Sequence, residues 1–427
     1  MNEIRTLAPV AAAERIEALD VLRGFALLGI LLMNIEAFVG PMFQAITGLD
    51  PTLRGVDRWV DALIYILVQG KFYTLFSLLF GMGFAVMLAR AQSSGRPFFA
   101  LYLRRTLALL GIGIVHAVLI WSGDILVAYA LVALVLLVLF RRTPQSRLPK
   151  WGVGLYLVPS LFMLSSGLAM LDPGSAAGLQ ESMARQGSEM ASALEAQRVA
   201  YGSGDYAAAT ARRIADMRMM LGGYLPLWGW QILGMFLIGA WFVRSGAIAR
   251  PGEFVRLYRR LRTVALPLGL GLMLLSFWLM PTADFSRMDM RIAGANALNA
   301  TGSLLMCLGY VGLVVGGLQS RRWAGKLALL APAGRMALSN YLLQSLVCTL
   351  LFYHYGLGLF EQLSRAWQVP FVLGLFALQV AASHWWLRRF RFGPAEWLWR
   401  SLTYLRPQPM RVQADAAPAL QSADGIH

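Results

Sequence analysis

The sequence predicts an all-α integral membrane protein. It has about ten transmembrane helices, both termini on the cytoplasmic side, a helical hairpin loop on the outer face and an interfacial helix near the C-terminus. Three observations lead there. The 427 residues are 58% hydrophobic and only 14% charged, with a mean hydropathy of +0.58, whereas soluble domains are about half apolar and a quarter charged. Apolar runs recur that reach the roughly 20 residues a helix needs to cross a bilayer. The net charge of +16 is placed as an orientation signal and as attraction to anionic lipid. That placement argues against a nucleic-acid partner.

The spans fall at 21–39, 60–88, 104–121, 124–140, 152–171, 224–243, 263–280, 298–318, 336–354 and 369–387. The first runs about 19 apolar residues with no prompt A-x-A-like site, so it reads as a retained anchor, not a signal peptide. The second is too long for one simple crossing. Its first part, to about Gln69, lies along the surface or re-enters before "FYTLFSLLFGMGFAVML" crosses. With the N-terminus inside, 26 of the 38 Lys and Arg lie in inner connections and 10 in outer ones, which selects both termini inside. The chain then divides into a cytoplasmic N-terminus (1–20), a membrane bundle of about five spans (21–171), an outer loop (172–222), a second membrane unit of about five spans (223–405) and a tail (406–427). The outer loop opens with "DPGSAAG" and reads as two short helices split by "GSGD", with Asp205 as an N-cap. It is either a solvated hairpin or a lid. In "FRFGPAEWLWRSLTY", Pro394 suits a first helical turn, and Trp397, Trp399, Arg400 and Tyr404 are the composition of a helix lying in the headgroup zone. The Ala-, Gln- and Pro-rich tail is expected to be disordered. Cys307 and Cys348 both fall inside spans and offer neither a disulfide framework nor a metal cluster.

Ionisable groups inside a bilayer are expensive and usually face the bundle interior, so their census maps candidate function. The spans carry Arg23, Asn34 and Glu36; Asp61, Gln69 and Lys71; Arg104, Arg105 and His116; Asn340, Gln344 and His354; Gln379 and His384. From Arg105 to His116 is eleven residues, about 16 Å of rise and nearly the same helix face. The tight turn "WSGD" follows, and Asp124 comes near enough to reach the imidazole. A carboxylate that fixes the tautomer lets histidine act as a general base. Asp124 is equally an N-cap for the next helix, and one carboxylate serves both roles. Arg23 and Asn34 repeat the spacing on the first span. A cytoplasmic guanidinium suits phosphate, and a deep amide and imidazole suit a reacting carbonyl. The pattern fits acyl-CoA: phosphates at Arg23 and Arg105, thioester near mid-membrane. Lys71, Asn340, Gln344 and His354 are further candidates for lining the cavity. The structural alternatives are positive-inside anchoring for the arginines and helix–helix hydrogen bonding for His116, Asn340 and Gln344.

The strings "ALDVLRGFALLGILLMNI", "GKFYTLFSLLFGMGF", "HAVLIWSGDILVAYALVAL", "GRMALSNYLLQSLVCTLLFYHYGLGL" and "FRFGPAEWLWRSLTY" together resemble the YeiB-like family of bacterial inner-membrane proteins. The C-terminal part of that family is a domain of unknown function, number 418. The resemblance covers about residues 15 to 405 and implies a multi-pass protein of the bacterial inner membrane. The first span is more distantly similar to the transmembrane acyltransferase superfamily. Its type 3 family carries an arginine, ten residues, then a catalytic histidine. Arg23 matches, and Asn34 stands where that histidine would be. A lysosomal acetyltransferase of the superfamily also has asparagine there, with its histidine in the segment just after. This chain has no histidine before His116, so the role would pass to His116.

Two functions are open to this sequence. One is an acyltransferase that moves an acyl group from cytoplasmic acyl-CoA, as co-substrate, to an outer-face acceptor such as an envelope glycan or a small molecule. His116 and Asp124 are then the base and its orienter, and Asn34 the oxyanion donor. The other is a transporter or exporter of a small polar solute, for which glycines such as Gly81, Gly83, Gly111 and Gly113 would mark broken or closely packed helices. No bound cofactor or metal is expected. A histidine that only hydrogen-bonds a neighbouring helix contributes about 0.6 kcal/mol, so His116→Ala is expected to fold either way.

Overall fold

The computed structural model describes residues 16–95, 97–282 and 286–412, and within them the regular structure is helical. The chain opens with α1 (Glu17–Val39), α2 (Gly55–Leu67), α3 (Lys71–Ser93), α4 (Phe98–Leu119), α5 (Leu126–Val135, continued by a π turn over Leu136–Phe140) and α6 (Leu148–Ala169). A hairpin follows, α7 (Pro173–Gly202) and α8 (Tyr206–Met219), which leads through another π turn into α9 (Leu225–Arg244). The rest comprises α10 (Val255–Arg260), α11 (Leu266–Leu279), α12 (Met290–Leu318), the single-turn α13 (Ala324–Ala328) and α14 (Ala331–Arg335), then α15 (Ala337–Phe352), α16 (Arg365–Leu387) and α17 (Pro394–Tyr404). Among the described residues, eight helical segments are long and apolar enough to cross a membrane, whereas the fourth and ninth predicted spans are the shorter Leu126–Phe140 and Ala337–Phe352.

The long second apolar run breaks for a local reason. Gly70 takes φ +83°, a left-handed conformation that favours glycine, and the N–H groups of Val68 and Gln69 both close onto the Ile64 carbonyl. The resulting α2 exposes Val56, Trp59 and Leu63 and buries Asp61, Ala62 and Ile64, which fits a helix lying along a surface.

Close helix contacts hold the bundle together. A Cβ on Gly81 would run into the Phe236 carbonyl, and one on Gly239 into that of Leu78, so α3 and α9 meet backbone to backbone. Without a hydrophobic drive between helices in lipid, such approach supplies the packing contacts. The main core joins α1, α3 and α12 through Leu22, Leu27, Leu75, Leu78, Met82 and Val311. Asp172 and Asp205 cap α7 and α8, accepting from the Ser175 and Ala208 N–H groups. The hairpin then settles Met190, Ala193 and Tyr201 on a second cluster with Phe38, Trp121 and Tyr353.

Pro394 sits in the first turn of α17. Beyond it, residues 406–412 run back along the chain, with the Arg391 N–H donating to the Met410 carbonyl at 2.8 Å and that of Val412 to the Arg389 carbonyl at 3.1 Å. The remainder of the expected tail, 413–427, and the N-terminal 1–15 lie outside the described residues.

Candidate active site

α4 ends because the N–H groups of Ile120 and Trp121 both return to the His116 carbonyl at 2.9 Å. The chain reverses through Ser122 and Gly123, and Asp124 arrives beside His116. One carboxylate oxygen of Asp124 accepts from the Val127 N–H at 2.7 Å, capping α5. The other lies 2.8 Å from His116 Nδ1. Both side chains are 1% exposed. Capping and orienting therefore coexist on one carboxylate. Because Asp124 accepts, Nδ1 carries the proton and Nε2 of the neutral ring keeps its lone pair. Among the described residues Nε2 has no hydrogen-bond partner. The Tyr341 ring of α15 stands 5.2 Å from the imidazole, and its hydroxyl accepts from the Ile125 N–H at 3.4 Å. A buried base with an oriented tautomer and an open nitrogen is equipped for proton transfer.

At the other end of α4 lies a cavity of about 200 Å³, lined by Arg23, Arg90, Arg105, Arg335, Arg391 and Arg400 together with Asp20. Arg23 is held by Asp20 at 2.9 Å. The Arg105 guanidinium lies 3.5 Å from the Trp399 ring centre, and the Trp399 indole N–H donates to the Arg105 carbonyl at 2.8 Å. α17 thus covers α4 from below and brings Arg400 and Tyr404 to the same cavity. Since α4 is continuous, Arg105 and His116 are separated by about 16 Å of helix rise.

The remaining sequence candidates distribute differently. Asn34 is half-buried and makes no side-chain hydrogen bond among the described residues. Its helix packs chiefly on α3, α12, α14, α15 and α16; α15 carries Tyr341 beside His116, and one turn beyond Asn34 the Phe38 ring meets Trp121 just past the end of α4. The Lys71 ammonium is fully buried and donates to the carbonyls of Tyr65 (3.0 Å) and Gln69 (2.8 Å) and to Met273 Sδ (3.2 Å). Those bonds use its donors and tie α2 to α3. Asn340 donates to Ser383 Oγ at 3.0 Å, and Gln344 to Gln379 at 2.8 Å. Both therefore join α15 to α16, the structural alternative. His354 is exposed beside the hairpin, where its backbone N–H meets the Tyr201 carbonyl.

Two polar clusters have no counterpart in the sequence reading. Arg365 binds Glu36 at 2.9 Å and Asp61 at 2.8 Å, joining α16 to α1 and α2. The census named both carboxylates, but nothing local points to their partner. Above the α4–α5 turn, Asp216 accepts from Tyr201 (2.6 Å), Ser122 (3.2 Å) and Arg212 (2.7 Å). Burial, and then the Asp216 charge, push the Tyr201 hydroxyl well above its ordinary value. Arg213, fully buried, donates to the Leu119 carbonyl at 3.2 Å and to the Tyr355 hydroxyl at 2.8 Å, pinning α8 to the end of α4.

Comparison with known proteins bears on the whole chain. The family described as "Protein of unknown function (DUF418)" matches residues 242–406. "Uncharacterized protein YxaH" of Bacillus subtilis (strain 168) is 37% identical over 422 residues, covering 95% of this chain and 98% of the relative. "Uncharacterized protein YeiB" of Escherichia coli (strain K12) is 38% identical over 399 residues, covering 91% and 96%. An "Uncharacterized 39.9 kDa protein in amylase 3'region" of Bacillus acidopullulyticus is 28% identical over 415 residues, covering 96% and 99%. With such identity over nearly full length, and all-helical architecture with several membrane-length spans, the chain belongs to the YeiB-like DUF418 family of multi-pass membrane proteins.

Proposed function

We propose that this protein is an acyltransferase of the bacterial inner membrane, moving an acyl group from cytoplasmic acyl-CoA to an acceptor on the outer face. The observation that carries the reading is the buried His116–Asp124 pair with Nε2 left open. The arginine cavity supports it from the other end of α4: guanidiniums suit the phosphates of the donor. About 16 Å of rise is left for its arm to reach the histidine. In the reaction His116 Nε2 takes the acceptor hydroxyl proton as the oxygen attacks the thioester carbon. The C–S bond breaks, a C–O bond forms, and the proton passes to the leaving sulfur, giving free CoA thiol. Asn34 is the amide assigned to the developing oxyanion; the Tyr341 hydroxyl, beside the same histidine, is a second donor.

Purified protein in detergent with acetyl-CoA should release thiol, faster when an acceptor is added. No release above that of a His116→Gln variant would end the reading. A second reading, a transporter or exporter of a small polar solute, draws on the buried Glu36–Arg365–Asp61 cluster, since buried charges within spans mark solute and ion paths. It predicts solute flux in proteoliposomes and no thiol release.

A further inference from the structure

We infer that the α7–α8 hairpin and the α4–α5 turn together form a second binding site, at the end of the bundle opposite the arginines, for a neutral, hydroxyl-rich molecule. The inference rests on the acyl-transfer reading only in naming that molecule as the acceptor.

Five buried side-chain polar atoms lack a hydrogen-bond partner among the described residues, and four of them belong to this layer: His116 Nε2, Trp121 Nε1, Gln197 Nε2 and Arg213 Nε. Unsatisfied buried polar groups are rare, and each asks for an explanation. Here they are tied to one another through the same short turn. Trp121 precedes Ser122, which bonds Asp216 and Tyr201. The Gln197 amide lies beside the Asp216 carboxylate without a closed hydrogen bond to it. Arg213 holds the last carbonyls of α4. The free atoms are held still by what their neighbours do. Gln197 Oε1 accepts from the Phe43 N–H, the Trp121 ring lies 4.1 Å from that of Phe38, and the terminal nitrogens of Arg213 are engaged.

The chemistry of the four atoms selects the ligand. Indole, amide and guanidinium N–H groups are donors only, so they call for acceptor oxygens. The imidazole lone pair calls for a hydroxyl proton. Charged groups of both signs stand in the layer, Arg212 and Arg213 with Asp124 and Asp216, and Glu189 beside the groove. The opposite end gathers six arginines and one aspartate around its cavity. An anion suits that end, whereas a neutral molecule with several hydroxyls suits this one. A groove of about 500 Å³ runs between α7 and α8, floored by the small side chains of Ser192, Ala193, Ala196 and Ala215 and walled by Arg212. The same guanidinium reaches in to the buried Asp216.

The test is thermal unfolding of the full chain in a sugar-free detergent, without CoA. The probes are D-glucose, N-acetyl-D-glucosamine and myo-inositol, with glucose 6-phosphate as the anionic counterpart. At least one neutral probe should raise Tm saturably, and the phosphate should not do so at this site. Trp121→Phe keeps an aromatic ring against Phe38 and removes the N–H together with the pyrrole half of the indole; it should weaken the apparent affinity about tenfold. Gln197→Met should do the same, which guards against one variant failing to fold. Trp230→Phe, at an exposed tryptophan of α9, should change nothing. Failure of every neutral probe to saturate, or saturation that Trp121→Phe and Gln197→Met leave unchanged, overturns the site. Saturable, Trp121-dependent binding in a protein that never releases thiol upholds the site and removes acyl transfer. Thiol release whose acceptor KM ignores Trp121→Phe upholds acyl transfer and removes the site.

Discussion

Replacing His116 by glutamine separates chemistry from structure. The imidazole donates 2.8 Å to a carboxylate that, like the ring, is 1% exposed. Truncation to alanine leaves Asp124 with the Val127 N–H alone. Breaking a buried pair on one side costs about 3–5 kcal/mol, and the retained cap bond places this case near the lower figure. That exceeds the roughly 0.6 kcal/mol of a neutral interhelical hydrogen bond, because the partner is a buried carboxylate; His116→Ala is still expected to fold, with lowered stability. Glutamine can still offer an amide N–H to the same oxygen, so His116→Gln should lose no more than about 1.5 kcal/mol, the scale of one hydrogen bond. It supplies no basic nitrogen. Loss of a general base slows turnover about 10²- to 10⁴-fold, or roughly 3–5 kcal/mol of barrier. The assay pairs thiol release from acetyl-CoA with thermal unfolding on the same preparation. A His116→Gln protein with near-native Tm and more than a tenth of wild-type turnover would refute the reasoning.

Other outcomes are equally specific. Arg23→Gln and Arg105→Gln should each raise KM for acetyl-CoA about tenfold or more, the scale of a hydrogen bond to a charged group, with kcat little changed; an unchanged KM in both would remove the phosphates from that cavity. Lys71→Met should lower stability by about 1–3 kcal/mol through orphaned carbonyls while leaving KM alone; a KM effect without a change in Tm would return Lys71 to the binding residues. Burial pushes the Glu396 carboxyl up despite its bonds to Leu338 and Ser339. Its folded value exceeds the unfolded one, so its contribution is fully present below about pH 4.3 and is lost as pH rises toward the folded value. Glu396→Gln should flatten that decline, and identical Tm-versus-pH curves would contradict it. Phosphatase reporters fused after residues 145, 200 and 400 should read inside, outside and inside; any reversal sinks the topology.

The element positions were legible because lipid demands that each crossing satisfy its own backbone, which concentrates the signal into runs of apolar residues. The second run needed only Gly70 to divide it. The His116–Asp124 pair was legible for the same local reason: eight residues across one tight turn leave the carboxylate little choice of neighbour. Helical period likewise set Arg23 and Arg105 on definite faces. Period gives a helix its faces but never says which helix each face meets. Arg365 finds Asp61 from 304 residues away, and Ser122 meets Asp216 across 94. Arg335, Arg391 and Arg400 read in sequence as ordinary inner-face charge until α14 and α17 fold beneath α1 and α4. Asn34 and His116 sit on helices that share α3 as a neighbour, a partnership that neither helix's own period encodes. Partner choice among helices comes from close packing of whole faces in three dimensions, and only the tertiary structure decides it.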